Sequence, residues 1–301
     1  LTPRIAETAR FFWMLYLGIT FLEVFILYGL HIVGLAPNMD FYNALCHGFT
    51  TLASGGFSPA VRSVETFSAA VQWVIIPFMI ASGTNFALFY HFLKGDRRIF
   101  LKDSEFKYYL ILMGIIGILF AILFLNSNFS NSTFQQSTLL TTVRHALFQT
   151  VSVITTTGYV SFDFTTLSMS TQYLLLFCMF IGGSIGSTSC SIKILRWIVI
   201  LKSFRKTLFS LIHPDAVLPL RFNNNVYDES EIKKIHTFTL LFLFIFAMST
   251  IFVILDASRV GISLSLLEAM GAVAATLGNF GPSFGPSGPM AAAMAATRSW
   301  A

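Results

Sequence analysis

The sequence has 301 residues, of which 55% are hydrophobic and only 11% are charged, and its formal net charge is +5. A soluble domain carries about 25% charged residues, so this chain lacks the polar surface that a soluble enzyme or a nucleic-acid-binding domain needs. The composition therefore predicts an integral membrane protein.

Five stretches reach or approach the roughly 20 apolar residues that a membrane-spanning helix needs. In chain order they are 11–33, 68–93, 108–125, 170–201 and 236–255. Three stretches are shorter and more polar, and each runs into a loop of small, hydroxyl or amide residues; they are 40–53, 142–155 and 265–278. Irregular backbone at membrane depth is tolerated only inside protein or beside a water-filled path. We therefore predict three re-entrant pore helices, each followed by a filter loop.

The basic residues support this arrangement. Most of the 19 lysines and arginines lie before residue 11, at 94–107, or at 193–234. If the short helices enter and leave the membrane on one face, all three groups lie on one side, which is then cytoplasmic. If the short helices crossed, segments 94–107 and 202–235 would lie on opposite sides. The sequence thus predicts a multi-pass protein of the cytoplasmic (inner) membrane.

An internal repeat underlies the pattern. The order of long helix, short helix, glycine loop and long helix occurs twice in full and a third time without its last helix. Twelve positions separate an alanine from a glycine in each repeat: Ala44 and Gly56, Ala146 and Gly158, Ala269 and Gly281. Glycine allows the backbone to approach a pore closely, and rings of carbonyl oxygens replace the hydration shell of potassium. The alternative is that these glycines only permit tight helix packing.

At these residues the sequence resembles the Trk/Ktr/HKT superfamily of potassium transporters, and within it the TrkH-type pore subunits. The segments that carry the resemblance are RIAETAR at 4–10, TTLASGGFS at 50–58, RHALFQ at 144–149, TTTGY at 155–159, GGSIGST at 182–188 and NFGP at 279–282. The resemblance implies an all-α integral membrane fold, with repeated helix–re-entrant pore helix–helix units around a pseudo-fourfold cation pore. The chain is expected to correspond to repeats two to four, with the first repeat and the last helix missing.

The resemblance also implies a division of the chain and a set of site residues. Repeat two would occupy 1–97, repeat three 98–206, a cytoplasmic loop 207–235 and a partial repeat four 236–301. Ions would bind at a filter made of Ser54, Gly55, Gly56, Thr156, Thr157, Gly158, Asn279, Phe280 and Gly281. From the residue types alone, the hydroxyls of Ser54 and 155–157 are predicted to add oxygen ligands. An intramembrane gate loop would contain Gly182, Gly183, Ser184, Gly186, Ser187, Thr188 and Lys193.

Two alternatives remain for the gate loop. The segment 182–191 is either the gate or an ordinary kink at glycine and serine residues. Lys193 either tethers the loop or extends its ammonium group to the membrane surface.

The predicted function is potassium uptake through a carbonyl-lined filter. Potassium is the expected substrate, and no cofactor is expected in the chain itself. The resemblance implies a homodimer and a cytoplasmic, nucleotide-binding regulatory partner of the TrkA or KtrA type. The alternatives are a sodium-permeable relative, a non-conducting truncated membrane protein and, least favoured, a membrane-embedded lipid enzyme, which would need clustered His, Asp or Glu residues that the spans lack.

Isolated polar residues give weaker signals. Glu23 lies inside the first span, where a carboxyl group suggests a function. Asp163 follows the second filter loop and either attracts cations or caps a turn. The six histidines share no metal-ligand spacing, and Cys46, Cys178 and Cys190 form no disulfide framework.

Overall fold

The computed structural model describes residues 3–126, 139–213, 219–223 and 225–288. Its helices, in chain order, are α1 (Pro3–Ile32), α2 (Phe41–Leu52), α3 (Ala69–Ser82), α4 (Phe86–Leu93), α5 (Ile99–Lys102), α6 (Ser104–Asn126), α7 (Leu139–Ile154), α8 (Met169–Cys178), α9 (Ile194–Ile212), α10 (Glu229–Val260) and α11 (Leu266–Leu277). Four short strands form two pairs: β1 (Ile181–Gly182) with β2 (Ile192–Lys193), and β3 (Leu220–Phe222) with β4 (Asn225–Tyr227).

Among the described residues, three helices are long and apolar enough to cross a bilayer, namely α1, α6 and α10. Their outer faces carry large exposed apolar side chains, such as Phe25 on α1, Ile118 on α6 and Phe252 on α10. In water such a surface would be strongly unfavourable, whereas lipid chains solvate it. The helices therefore turn apolar faces outward, as expected for a protein in a bilayer.

Each of the three shorter helices follows a long helix and packs against it: α2 against α1, α7 against α6, and α11 against α10. With 12 residues, α2 and α11 are only about 18 Å long, too short to span about 30 Å of hydrocarbon. Side chains cap the N-termini of these two helices. Asp40 accepts a hydrogen bond from the Asn43 N–H, and Ser265 forms a capping box with Glu268. The three predicted re-entrant helices thus appear where the sequence placed them.

The second predicted span, 68–93, is not continuous. It consists of α3 and α4, which meet at an angle of 94°. The helix is interrupted at 83–85, and the side chain of Asn85 accepts a hydrogen bond from the Ala87 N–H at the beginning of α4. The break frees the carbonyl groups of Ser82 and Gly83, which accept hydrogen bonds from the backbone of residues 188 and 184. A long-range contact therefore replaces the helical hydrogen bonds that the apolar pattern predicts.

The predicted fourth span, 170–201, is interrupted as expected, because α8 ends at Cys178 and α9 begins at Ile194. The intervening residues, 179–193, are called the intramembrane loop below. Strands β1 and β2 close the base of this loop by pairing Ile181 with Ile192 and Gly182 with Lys193. The sequence did not predict this parallel pair.

Helices extend into both ends of the predicted cytoplasmic loop 207–235, since α9 continues to Ile212 and α10 begins at Glu229. The hairpin β3–β4 lies between them. Within it, the Asn223 side chain donates to Asp103 Oδ2 at 2.8 Å and accepts from the Ser104 N–H at 3.0 Å. The two basic segments 94–107 and 202–235 therefore lie on the same side of the protein. This confirms the prediction that the short helices do not cross.

Candidate cation filter and intramembrane loop

The three filter loops, residues 54–56, 156–158 and 279–281, have one backbone conformation. In each loop the first and third residues have positive φ. The values are 52° and 64° at Ser54 and Gly56, 53° and 86° at Thr156 and Gly158, and 55° and 99° at Asn279 and Gly281. Glycine adopts this conformation readily, whereas other residues are strained in it. The repeat seen in the sequence thus extends to the backbone angles.

The amide groups of each filter loop turn back toward the pore helix that precedes it. In the second loop, the N–H of Thr156 donates to Val153 O at 3.0 Å, and the N–H groups of Thr157 and Gly158 donate to Ser152 O at 2.9 and 3.4 Å. The equivalent amides of the other two loops bond at the same offsets, at residues 54–56 and 279–281. These bonds occupy the amide donors, and the loop carbonyls are the groups left to face other partners.

The filter loops lie side by side. A Cβ atom built on Gly56 would lie 1.9 Å from Thr157 O, and one on Gly158 would lie 2.0 Å from Phe280 O. Only glycine fits at either position. A Cβ on Gly281 would meet no atom within 4 Å. Residues from all three loops line a single cavity of about 390 Å³.

Two side chains at the filter loops are directed into the protein. The hydroxyl of Thr155 bonds to Val151 O and to the hydroxyl of Thr157, each at 2.8 Å. The side chain of Phe280 is almost completely buried and packs inside the protein. Carbonyl oxygens beside the filter glycines, with the negative ends of α2, α7 and α11 behind them, form an environment that favours a cation.

The predicted ligand hydroxyls of Ser54 and Thr156 are occupied by the intramembrane loop. The Ser54 hydroxyl lies 2.9 Å from the Thr188 hydroxyl. The Cys190 N–H donates to Thr156 Oγ1 at 2.7 Å, and Asn279 Nδ2 donates to Cys190 Sγ at 3.4 Å. The intramembrane loop thus touches all three filter loops.

Lys193 holds the intramembrane loop together, which agrees with the tether alternative. Its ammonium group donates to the backbone and side-chain oxygens of both Ser187 and Ser189. Ser189 Oγ also accepts from the Gly183 N–H at 3.0 Å. Glu105, at the beginning of α6, accepts from the Ile185 N–H at 2.8 Å. These bonds satisfy backbone groups that lipid could not.

The glycines of this loop permit close backbone contacts. A Cβ on Gly182 would lie 2.1 Å from Cys190 O, and a Cβ on Gly183 would lie 2.5 Å from Gly83 O. Gly83 lies in the break between α3 and α4, so the intramembrane loop packs closely against that break. This break was not predicted, although the polar run 82–85 in an apolar stretch was a signal for it.

A buried polar network behind the filter was also missed. The Tyr159 hydroxyl lies 2.6 Å from Thr50 Oγ1 and donates to His47 O at 3.1 Å. His47 Nε2 in turn lies 3.0 Å from Ser58 Oγ. Residue 159 follows the second filter loop and residue 47 lies on α2, so the network links two repeats.

The structure gives the contacts of Asp163 and Glu65 and the burial of Glu23. Asp163 Oδ1 accepts hydrogen bonds from the Thr165 N–H and hydroxyl, which fits the capping alternative. At the same end of the protein, partial burial raises the pKa of the Glu65 carboxyl. The Arg62 guanidinium opposes this rise, with its Nη2 atom 2.6 Å from Glu65 Oε1. Glu23 is completely buried in α1. Across the described ranges, His, Cys, Asp and Glu side chains form no group of three that would hold a metal ion.

Comparison with known proteins gives consistent matches. The family model "TrkH: Cation transport protein" matches residues 1–299. The Trk system potassium uptake protein TrkH of Halomonas elongata is 31% identical over 290 residues, which are 95% of this chain and 55% of that protein. TrkH of Escherichia coli K12 is 29% identical over 94% of this chain and 55% of its own length.

A solved structure matches as well. The crystal structure of the potassium transporter TrkH from Vibrio parahaemolyticus superposes with a TM-score of 0.82 and 28% identity, covering 95% of this chain and 58% of the other. The chain therefore spans a little more than half the length of the relatives it matches.

Proposed function

Because this chain belongs to the TrkH family of cation transport proteins, as its sequence predicted, we propose that it forms part of a pathway for potassium uptake through the membrane. Family membership and the structural match also confirm an all-α, multi-pass membrane protein. The relatives are named as transporters, not as enzymes. The substrate, the partners and the particular membrane are parts of the proposal.

One observation carries the proposal: three loops, each with positive φ at its first and third residues, come together, with the carbonyl groups of Thr157 and Phe280 beside glycines of neighbouring loops. Carbonyl oxygens are the ligands that potassium filters use. The nine residues of the filter loops include no carboxylate, so a filter based on rings of acidic side chains is disfavoured. Potassium bound at these carbonyls is the substrate and not a resident cofactor.

The proposed gate is the intramembrane loop, which contacts every described filter loop from one side. The proposed membrane is the cytoplasmic membrane, with the β3–β4 hairpin and the basic segments facing the cytoplasm. A homodimer and a cytoplasmic nucleotide-binding regulatory subunit complete the proposal. The resemblance of the sequence to this family supports both.

The test is rubidium uptake and growth at low potassium in cells that lack their own potassium uptake, using the full-length gene product. We expect rescue by the natural protein and loss of most uptake in Gly158→Ser, because the new side chain would meet Phe280 O. The matched control is Gly114→Ser on α6, where a Cβ meets no atom within 4 Å. Well-expressed natural protein without uptake would refute the proposal.

A further inference from the structure

The side chain two positions before each filter glycine points toward the intramembrane loop. Ser54, Thr156 and Asn279 hold this equivalent position in the three repeats, and each places its side chain against the intramembrane loop. The partners are Thr188 and Cys190. All three filter residues have positive φ although none is glycine.

We propose that these three side chains are latches, which hold the intramembrane loop against the filter and do not bind the ion. The inference rests on the proposed function, in which this loop closes the cation pathway. It assigns Ser54, Thr156 and Asn279 a positioning role, and it leaves ion coordination to backbone carbonyls.

The strained backbone supports the assignment. Positive φ is an outlier for a β-branched residue such as Thr156, and strain of this kind persists where function requires it. Glycine would relieve the strain at Thr156 but would remove the acceptor for the Cys190 N–H. A side chain at this position therefore has a use that glycine cannot supply.

Burial supports it at two of the three positions, since Asn279 is exposed. Thr156 is fully buried and Ser54 almost so, and the contacts with the intramembrane loop occupy their oxygens. Thr188, the partner of Ser54, forms further hydrogen bonds: its Oγ1 is 2.9 Å from Leu52 O and 3.0 Å from Ser82 O. The loop is thus bonded at once to the end of α2, to the α3–α4 break and to the filter.

The internal bonds of the loop determine how it moves. Lys193 cross-links residues 187 and 189, and β1–β2 closes the base of the loop. A segment stiffened in this way is expected to move as one body when its outer contacts break. Releasing one latch therefore increases the population in which the whole loop has left the filter.

The experiment removes one latch and measures two independent properties of the full-length protein. Cys190 is kept as the sole cysteine, with all others, including Cys46 and Cys178, replaced by serine. Thr156→Val removes the acceptor, Thr156→Ser retains it, and Thr150→Val is the control, because Thr150 lies on α7 outside the filter loop and its buried hydroxyl has no hydrogen-bond partner among the described residues. The readouts are the labelling rate of Cys190 by a charged thiol reagent, and rubidium flux in proteoliposomes with potassium or sodium as competitor.

Loss of one hydrogen bond corresponds to about a fivefold change in an equilibrium. We expect Thr156→Val to raise Cys190 labelling and rubidium flux about fivefold, with an unchanged preference for potassium over sodium, while Thr156→Ser and Thr150→Val resemble the parent. Unchanged labelling together with altered ion preference would overturn the proposal and make Thr156 a ligand.

Two further measures keep the test decisive. Ser54→Ala removes a second latch without placing a new branched side chain at positive φ, and it is used if Thr156→Val does not fold. Cys190 labelling does not require transport. If the parent protein carries no rubidium, the proposed function fails, whereas faster labelling of the variant would still support the latch and unchanged labelling would still refute it.

Discussion

Gly56 and Gly158 each stand directly against a carbonyl group of the next filter loop, so their lack of a side chain brings the loops together. Gly55, the neighbour of Gly56, has ordinary surroundings, since its Cβ would meet the nearest atom, on the Phe57 ring, at 3.6 Å. Two adjacent glycines thus have different requirements. The difference gives a matched pair for mutagenesis.

We predict that Gly56→Ala destabilises the protein by about 2–5 kcal/mol, the sum of left-handed backbone strain and overpacking against Thr157 O. Gly55→Ala should stay within about 1 kcal/mol of the parent. Thermal unfolding of the purified proteins in detergent measures both. Equal destabilisation by the two substitutions would contradict the described packing.

At the residue scale, the sequence predicted the filter glycines through their constant spacing from Ala44, Ala146 and Ala269. It did not predict where the side chains of Ser54 and Thr156 point. Their direction depends on positive φ at residues other than glycine, and no residue pattern predicts such a φ. The hydroxyls were therefore predicted as ion ligands, whereas the structure places them against the intramembrane loop.

At the scale of elements, length and polarity were sufficient to separate long helices from short ones, because a span needs a fixed number of residues. The same rule failed for 68–93, where hydropathy stays high through a 94° bend. The bend is stabilised by Asn85 and by hydrogen bonds from residues 184 and 188, which are distant in sequence. A local hydropathy pattern cannot predict contacts between residues that are distant in sequence.

We predict that Asn85→Ala costs about 1 kcal/mol of stability, the usual value of a helix N-cap, because its side chain accepts from the Ala87 N–H at 2.9 Å. Ser68→Ala is the control. Ser68 precedes α3 but forms no capping hydrogen bond, so its loss should be nearly neutral. Chemical or thermal unfolding distinguishes the two, and an equal effect at both positions would argue against the cap.

At the scale of the whole molecule, three repeats place equivalent loops around one cavity, and a single intramembrane loop contacts all of them. The bonds from Asn223 to Asp103 and Ser104 show that two basic segments share one side. Charge placement predicted this arrangement, because sidedness follows from lysine and arginine positions without detailed contacts. The packing of one repeat against the next, such as Tyr159 against α2, emerged only from the structure.

We propose that backbone carbonyls of the filter loops bind potassium in preference to sodium. The most direct measurement is rubidium uptake into proteoliposomes containing the full-length protein, with increasing concentrations of either competing ion. A carbonyl-lined filter predicts that potassium competes at lower concentrations than sodium does. Equal competition by the two ions, in protein that does take up rubidium, would contradict the claim.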